Sequence, residues 1–132
     1  MRRILLLLPF ALLLSGCTEP SIGDCGLLVH VPARPIDEGL RFDVREVVGD
    51  PLDLRGLDYR VRNATAAPPV TVYEGEVATL AAQGNHTLRF LDAQRDGLLG
   101  VGDAFVLREH GPFVLLLSRG STLLGSSLAC DA

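Results

Sequence analysis

The strongest constraint on the fold is a two-residue hydrophobic period that begins after residue 24. Residues 40–45 read Leu-Arg-Phe-Asp-Val-Arg, and residues 57–62 read Leu-Asp-Tyr-Arg-Val-Arg. Successive side chains of a β-strand point to opposite faces of the sheet, so each run puts its apolar residues on one face and its charged residues on the other. The pattern therefore predicts half-buried antiparallel strands rather than helices.

Further segments read as strands because their apolar residues are bounded by Gly, Pro, Asn or Asp. They span residues 26–31, 69–73, 76–80, 87–91, 104–109, 113–118 and 122–129. For residues 74–83 the sequence leaves a second interpretation open, a short helix around Val77 and Leu80 that the flanking Gly75 and Gly84 would limit.

Together these strands predict an all-β chain, a single Ig-like, Greek-key antiparallel β-sandwich of about 7–9 strands. A length of 132 residues supports one domain with its own core. The hydrophobic content of 48% argues against a disordered chain. We assign the sandwich to residues 25–132.

The first 16 residues have a different composition. Arg2 and Arg3 precede an apolar run over residues 4–14 that only Pro9 interrupts. A membrane span takes about 20 apolar residues, so this run is too short to cross a bilayer. Residues 1–16 are therefore predicted to be a cleaved signal peptide.

The apolar run ends in Leu14-Ser15-Gly16-Cys17, which is one aliphatic residue, two small residues and a cysteine. This motif resembles the lipobox of bacterial lipoproteins. The resemblance implies a covalent lipid on the Cys17 thiol, cleavage before Cys17, and a linker over residues 17–24 between lipid and domain. The alternative is an ordinary signal peptide in which Cys17 is incidental.

The lipobox resemblance also implies a location. In the sorting rule of enteric bacteria, Asp directly after the acylated cysteine retains a lipoprotein in the inner membrane, and here that position is Thr18. The resemblance therefore implies an outer-membrane lipoprotein that faces the periplasm or the cell exterior. Its membrane partner would be reached through the lipid anchor.

The charge of the chain limits its partners. The formal net charge is −4, and all 12 basic residues are Arg. Removal of Arg2 and Arg3 leaves 10 basic and 16 acidic residues, a net charge of −6. This balance argues against nucleic-acid binding and against electrostatic docking on anionic lipid.

Without Cys17, the cysteines that remain are Cys25 and Cys130, which allow one intramolecular pairing. The compartment beyond the membrane is oxidising enough for a disulfide. We therefore predict a Cys25–Cys130 bond that ties the first strand to the last, worth at most about 4–5 kcal/mol. Two free buried thiols are the alternative.

Residues 92–103 place oxygen ligands at the spacing of the twelve-residue calcium loop. The candidate Ca²⁺ ligands are the side chains of Asp92, Gln94, Asp96 and Asp103 and the carbonyl of Leu98. The loop resembles the EF-hand-like loops of dockerins, which also end in Asp. The alternative is a metal-free hairpin turn between strands 87–91 and 104–109, with Asp92 and Asp103 facing each other at its base.

A wider resemblance spans residues 40–128. Gly49-Asp50-Pro51-Leu52-Asp53-Leu54 precedes a strand, then Leu88-Arg89-Phe90-Leu91-Asp92, Asp96-Gly97 and Gly102-Asp103-Ala104-Phe105 follow before paired apolar strands. This order resembles the Ig-like β-sandwich of archaeal type IV pilins and related envelope proteins. The resemblance implies the fold, while the pilin N-terminal helix is missing from the sequence.

The residues for catalysis are sparse. Gly-x-Ser-x-Gly, His-Glu-x-x-His and phosphate-binding glycine loops are absent from the sequence, and His30, His86 and His110 lack metal-ligand spacing. We therefore expect a non-enzymatic envelope module that binds an unknown protein or glycan partner or serves structurally. The alternative is a small secreted hydrolase, using His86 or His110, or a protease inhibitor.

Overall fold

The computed structural model describes residues 27–65, 67–84 and 86–128, and structural statements below refer to those residues. They form twelve strands and one short helix, α1 (Val77–Gln83). The strands are β1 (Val29–His30), β2 (Ala33–Ile36), β3 (Gly39–Asp43), β4 (Glu46–Val47), β5 (Leu52–Asp53), β6 (Asp58–Asn63), β7 (Val70–Glu76), β8 (Leu88–Leu91), β9 (Leu98–Leu99), β10 (Ala104–Leu107), β11 (Phe113–Arg119) and β12 (Thr122–Ser126).

The predicted all-β, sandwich-like fold is confirmed. Four of the twelve described strands, β1, β4, β5 and β9, are only 2 residues long. The other eight have four to seven residues, and they include most of the segments with two-residue periodicity. The sequence therefore predicted the longer strands better than the two-residue ones, because a two-residue strand is too short to show a period.

The described strands form three sheets. A four-stranded sheet has the order β8-β10-β3-β2, and a six-stranded sheet has the order β4-β1-β12-β11-β6-β7. A small two-stranded ribbon pairs β9 with β5. The pairs are antiparallel except for β1 and β12, the first and last described strands, which run parallel to each other. This parallel pair is a departure from the purely antiparallel sandwich predicted.

The core lies between the two larger sheets. Phe42, Phe90 and Phe105 lie on one face of the four-stranded sheet, and all three belong to the buried cluster. Val29 and Leu117, on the six-stranded sheet, belong to the same cluster. The rings of Phe90 and Phe105 pack with centroids 4.8 Å apart. Burial of these aromatic and aliphatic side chains is the main favourable contribution to folding.

Helix α1 corrects the strand predicted over residues 76–80 and confirms the short-helix interpretation. Val77 and Leu80 lie three residues apart on its buried face, and alanines, the best helix formers, fill much of the rest. The helix ends at Gln83, and the N–H of the capping residue Gly84 donates to the Leu80 carbonyl at 2.7 Å. The described residues contain no helix that is both long and apolar enough to cross a membrane.

Candidate functional site

The candidate calcium ligands lie in the connection between β8 and β10. These strands pair antiparallel, with Leu91 opposite Ala104, so Asp92 and Asp103 come together at the base of the connection. The flanking strands agree with the hairpin interpretation of the sequence. The connection also contains β9, which pairs with β5, so it is longer and more structured than a simple turn.

Asp103 is the most buried charged residue of the loop, with none of its surface exposed. Its Oδ1 accepts a hydrogen bond from the Ala93 N–H and its Oδ2 one from the Gly100 N–H, both at 2.8 Å. The pKa of Asp103 is raised, mainly by burial and also by the nearby Asp92 and Asp96 carboxylates. The two amide donors lower it, but they do not outweigh these effects. Asp103 therefore acts as an internal brace of the loop.

The exposed end of the loop is organised in the same way. Asp92 accepts hydrogen bonds from the N–H groups of Arg95 and Gly97, both at 3.0 Å. Asp96 Oδ1 accepts one from the Leu98 N–H at 3.0 Å. Arg95 adopts a φ of 55°, which places it in the left-handed region. These bonds close the turn through side-chain-to-backbone contacts, as Asp residues commonly do in loops.

These contacts bear on the calcium prediction. The Nε2 of the Gln94 side chain donates to the Val101 carbonyl at 3.4 Å. Within residues 27–65, 67–84 and 86–128, no three His, Cys, Asp or Glu side chains are grouped so that they could hold a metal ion. Calcium binding at this loop stays a prediction.

A cleft of about 530 Å³ adjoins this loop and was not predicted from the sequence. Asp92 and Asp96 line one side, Asp53 and Arg55 a second, and the alanines of α1 a third. Arg55 donates to Asp53 through its guanidinium at 3.0 Å and through its N–H at 2.9 Å. These two bonds lower the pKa of Asp53. The described residues that line the cleft include no hydroxyl, thiol or imidazole group, so the nucleophiles among them are the carboxylates of Asp53, Asp92 and Asp96.

The histidines occupy separate segments. His30 lies on β1 opposite Glu46, His86 lies just before β8, and His110 follows β10. The Arg108 N–H donates to the Thr87 carbonyl at 2.7 Å, which brings His86 to the same end of the sheet as His110. Glu109 also lies at this end, but its Oε2 accepts a hydrogen bond from the Tyr73 hydroxyl. This bond and burial raise the pKa of Tyr73, so the phenol is held protonated.

Three predicted site residues, Cys17, Cys25 and Cys130, lie outside the described residues, as do the predicted signal peptide and linker. The described strands nearest to Cys25 and Cys130 in the sequence are β1 and β12. β1 and β12 are neighbours, with Val29 opposite Gly125. The predicted disulfide itself stays a prediction.

Comparisons of the chain with protein-family models, with curated proteins and with solved structures find no match.

Proposed function

We propose that this chain is a bacterial lipoprotein that presents one small β-sandwich from a membrane, as a non-enzymatic binding or structural module of the cell envelope. The observation that carries the proposal is Leu14-Ser15-Gly16-Cys17 directly after a short apolar segment with two arginines at its start. Thioether formation needs a nucleophilic sulfur, and the small residues before Cys17 suit a narrow protease site.

The spacing between anchor and domain is consistent with this role. Nine residues separate Cys17 from Leu27, the first described residue. Fully extended, such a segment reaches about 35 Å. The sandwich would therefore stay close to the membrane surface and act on partners in the same envelope layer, an unidentified protein or glycan among them.

The polar groups of the described domain support a non-enzymatic role. Asp92, Asp96 and Asp103 accept hydrogen bonds from loop amides, and Glu109 accepts one from Tyr73. A site for acyl transfer needs a nucleophile, a base and an oxyanion donor that converge on one point. In the described cleft the carboxylates of Asp53, Asp92 and Asp96 instead accept hydrogen bonds from a guanidinium group or from backbone amides.

Acylation tests the proposal directly. The full chain is expressed in a bacterium fed with an alkyne-tagged palmitate, and the membrane-bound product is analysed by intact mass. We expect label on the chain, loss of residues 1–16 and an acyl mass on Cys17. Cys17→Ser should abolish the label, whereas the matched variant Cys25→Ser should keep it. A processed chain without any acyl group would overturn the proposal.

The hydrolase alternative needs its own test. The purified mature protein is screened against chromogenic esters and glycosides, with His86→Ala and His110→Ala as variants. We expect no turnover above the blank for any of the three proteins. Robust turnover that either variant abolishes would replace the proposed role with a hydrolase.

A further inference from the structure

The outward face of the four-stranded sheet carries four arginines, Arg34, Arg41, Arg89 and Arg108, which we call the arginine face. The register places Arg89, Val106, Arg41 and Arg34 in one row across the four strands. Neighbouring strands lie about 4.8 Å apart, so the row is about 14 Å wide. Arg108 lies two residues beyond Val106 and therefore faces the same side.

The centre of the arginine face is apolar and dry. Val106 is only 3% exposed, yet it does not belong to the core cluster between the sheets. Its neighbours in the row, Arg89 and Arg41, have long aliphatic stems, and such stems cover apolar surface while the charged ends stay in water. We attribute the burial of Val106 to these stems.

The acids on this face only partly offset its charge. Asp43 pairs with Arg41 at 2.7 Å and with Arg34 at 3.1 Å, and Glu38 pairs with Arg108 at 3.5 Å. The side chain of Arg89 is exposed and makes no ion pair or hydrogen bond with another described residue. Four guanidinium groups and two carboxylates leave a net charge of +2.

The rest of the described chain has the opposite sign. Outside the arginine face, it carries 6 arginines and 11 acidic residues, a net charge of −5. The net charge of the whole chain argued against docking on anionic lipid. A net charge averages over the molecule, however, and the fold places positive and negative side chains on different surfaces. A local field of one sign can attract a partner even when the net charge opposes it.

We propose that the arginine face lies against anionic phospholipid headgroups of the membrane to which the chain is anchored. This inference rests on the proposed lipoprotein function for the proximity of the membrane, since a short tether raises the effective concentration of the surface that it is attached to. The chemistry fits, because guanidinium groups make paired hydrogen bonds to phosphate oxygens.

The test uses the mature acylated protein in vesicles of phosphatidylcholine, either alone or mixed with phosphatidylglycerol. Arginines are modified with phenylglyoxal, and the rate at each position is read by mass spectrometry. Arg95, exposed in the loop 92–103, is the internal control. We expect Arg89 to react about fivefold more slowly in the anionic vesicles, while the rate at Arg95 is unchanged. Fivefold corresponds to the attraction of about 1 kcal/mol between one arginine and an anionic membrane surface.

High salt and charge-removing variants test whether the protection is electrostatic. At about 1 M salt the screening length falls to about 3 Å, so the protection of Arg89 should disappear. Arg34→Gln combined with Arg89→Gln should remove the protection of Arg108. The matched double variant Arg55→Gln with Arg95→Gln changes the net charge equally on another surface and should keep it. Equal slowing at Arg89 and Arg95, or none at Arg89, would overturn the proposal.

Two further outcomes separate this proposal from its alternatives. If dextran sulfate protects Arg89 as well as the anionic vesicles do, the partner is an acidic polymer and the membrane proposal fails. If intact mass shows that Cys17 is not acylated, the lipoprotein proposal fails on its own. The same rate comparison is then made on the unacylated chain with vesicles at about millimolar lipid, the effective concentration that a short tether would give. Slower modification of Arg89 supports lipid contact, and an unchanged rate overturns it.

Discussion

The hydroxyl of Tyr73 donates a hydrogen bond to Oε2 of Glu109 and so links the two sheets of the sandwich. Tyr73 lies on β7, the edge strand of the six-stranded sheet, and Glu109 follows β10 of the four-stranded sheet. The carboxylate of Glu109 accepts this hydrogen bond, which together with burial raises the pKa of Tyr73. The two residues are 36 positions apart in the chain.

Removal of this link should weaken the sandwich. We expect Tyr73→Phe to lower the free energy of unfolding by about 1–2 kcal/mol, because the Glu109 carboxylate loses a part-buried donor. The raised pKa means that the contribution is present below the unfolded value of 10.0 and is lost as pH rises through the folded value. Urea unfolding at neutral pH and above pH 10.0 measures both effects.

A matched control is Tyr59→Phe. Tyr59 is buried, and its hydroxyl makes no hydrogen bond to another described residue. This variant should change stability by less than about 0.5 kcal/mol. If the two variants were equally stable, the Tyr73–Glu109 bond would contribute nothing beyond packing.

Gly39 is a position where any side chain should be severely destabilising. Its φ is 154°, and a Cβ there would come within 2.6 Å of the Glu109 nitrogen. Gly39→Ala should therefore cost about 3 kcal/mol or more, because backbone atoms must move. Gly49 has a φ of 88° but open space around it. Gly49→Ala isolates the backbone strain, about 1–2 kcal/mol. Equal melting temperatures of the two variants would refute the steric explanation.

The sequence predicted the strands in which alternation of apolar and polar residues along the strand itself determines which side chains are buried. In residues 40–45 and 57–62, alternate side chains enter the core, so the period is visible in the sequence. The parallel pairing of β1 with β12 joins residues 96 positions apart, as Val29 and Gly125 show. Pairing over that distance depends on how the sheets assemble, and a two-residue strand such as β1 carries no pattern that reports it.

The site was predictable to a similar extent. The hairpin pattern placed Asp92 near Asp103, but the hydrogen bonds that turn these carboxylates toward amides follow from the loop path. The cleft between α1 and β5 could not be predicted, because one of its walls is α1 and the sequence left that helix as one of two interpretations. The arginine face did have a local signal, because Arg41 and Arg89 occupy outward positions of predicted strands. The negative net charge of the chain argued against a positive surface, so the arginine face was not predicted.

The ion pairs of Asp43 should make stability depend on pH. Burial raises the pKa of Asp43, but the hydrogen bonds and charges of Arg41 and Arg34 outweigh it and bring the pKa below 3.8. A lowered folded pKa gives stability that is present above 3.8 and is lost as pH falls through the folded value. We expect Asp43→Asn to be less stable at neutral pH by under about 1 kcal/mol, because the pairs are partly exposed.

This difference should vanish in acid. Denaturant unfolding of the wild type and Asp43→Asn, followed from neutral pH to about pH 2, measures it. Asp37→Asn is the control, because Asp37 makes no ion pair with another described residue. A gap between wild type and Asp43→Asn that stayed constant with pH would show that the effect is not electrostatic.

The brace at Asp103 predicts an unusual cost for an isosteric change. Asp103→Asn replaces one of the two accepting oxygens with an NH₂ group that would face an amide N–H in a fully buried position. We expect a loss of about 1–3 kcal/mol in the free energy of unfolding. Asp50→Asn, in an exposed loop, should change stability by less than about 0.5 kcal/mol. If thermal melts showed Asp103→Asn as stable as Asp50→Asn, the brace would be refuted.

The last prediction decides between the two interpretations of loop 92–103. A calcium ion bound only to the folded protein would raise its stability by about 1.4 kcal/mol at tenfold excess over Kd. The observed hydrogen bonds already close the loop through amides, and from them we expect equal melting temperatures in millimolar CaCl₂ and in EDTA. Asp96→Ala separates the cases: a calcium-dependent rise in the wild type that this variant loses would establish the metal site, and the carboxylates would then have to turn from their amide partners toward the ion.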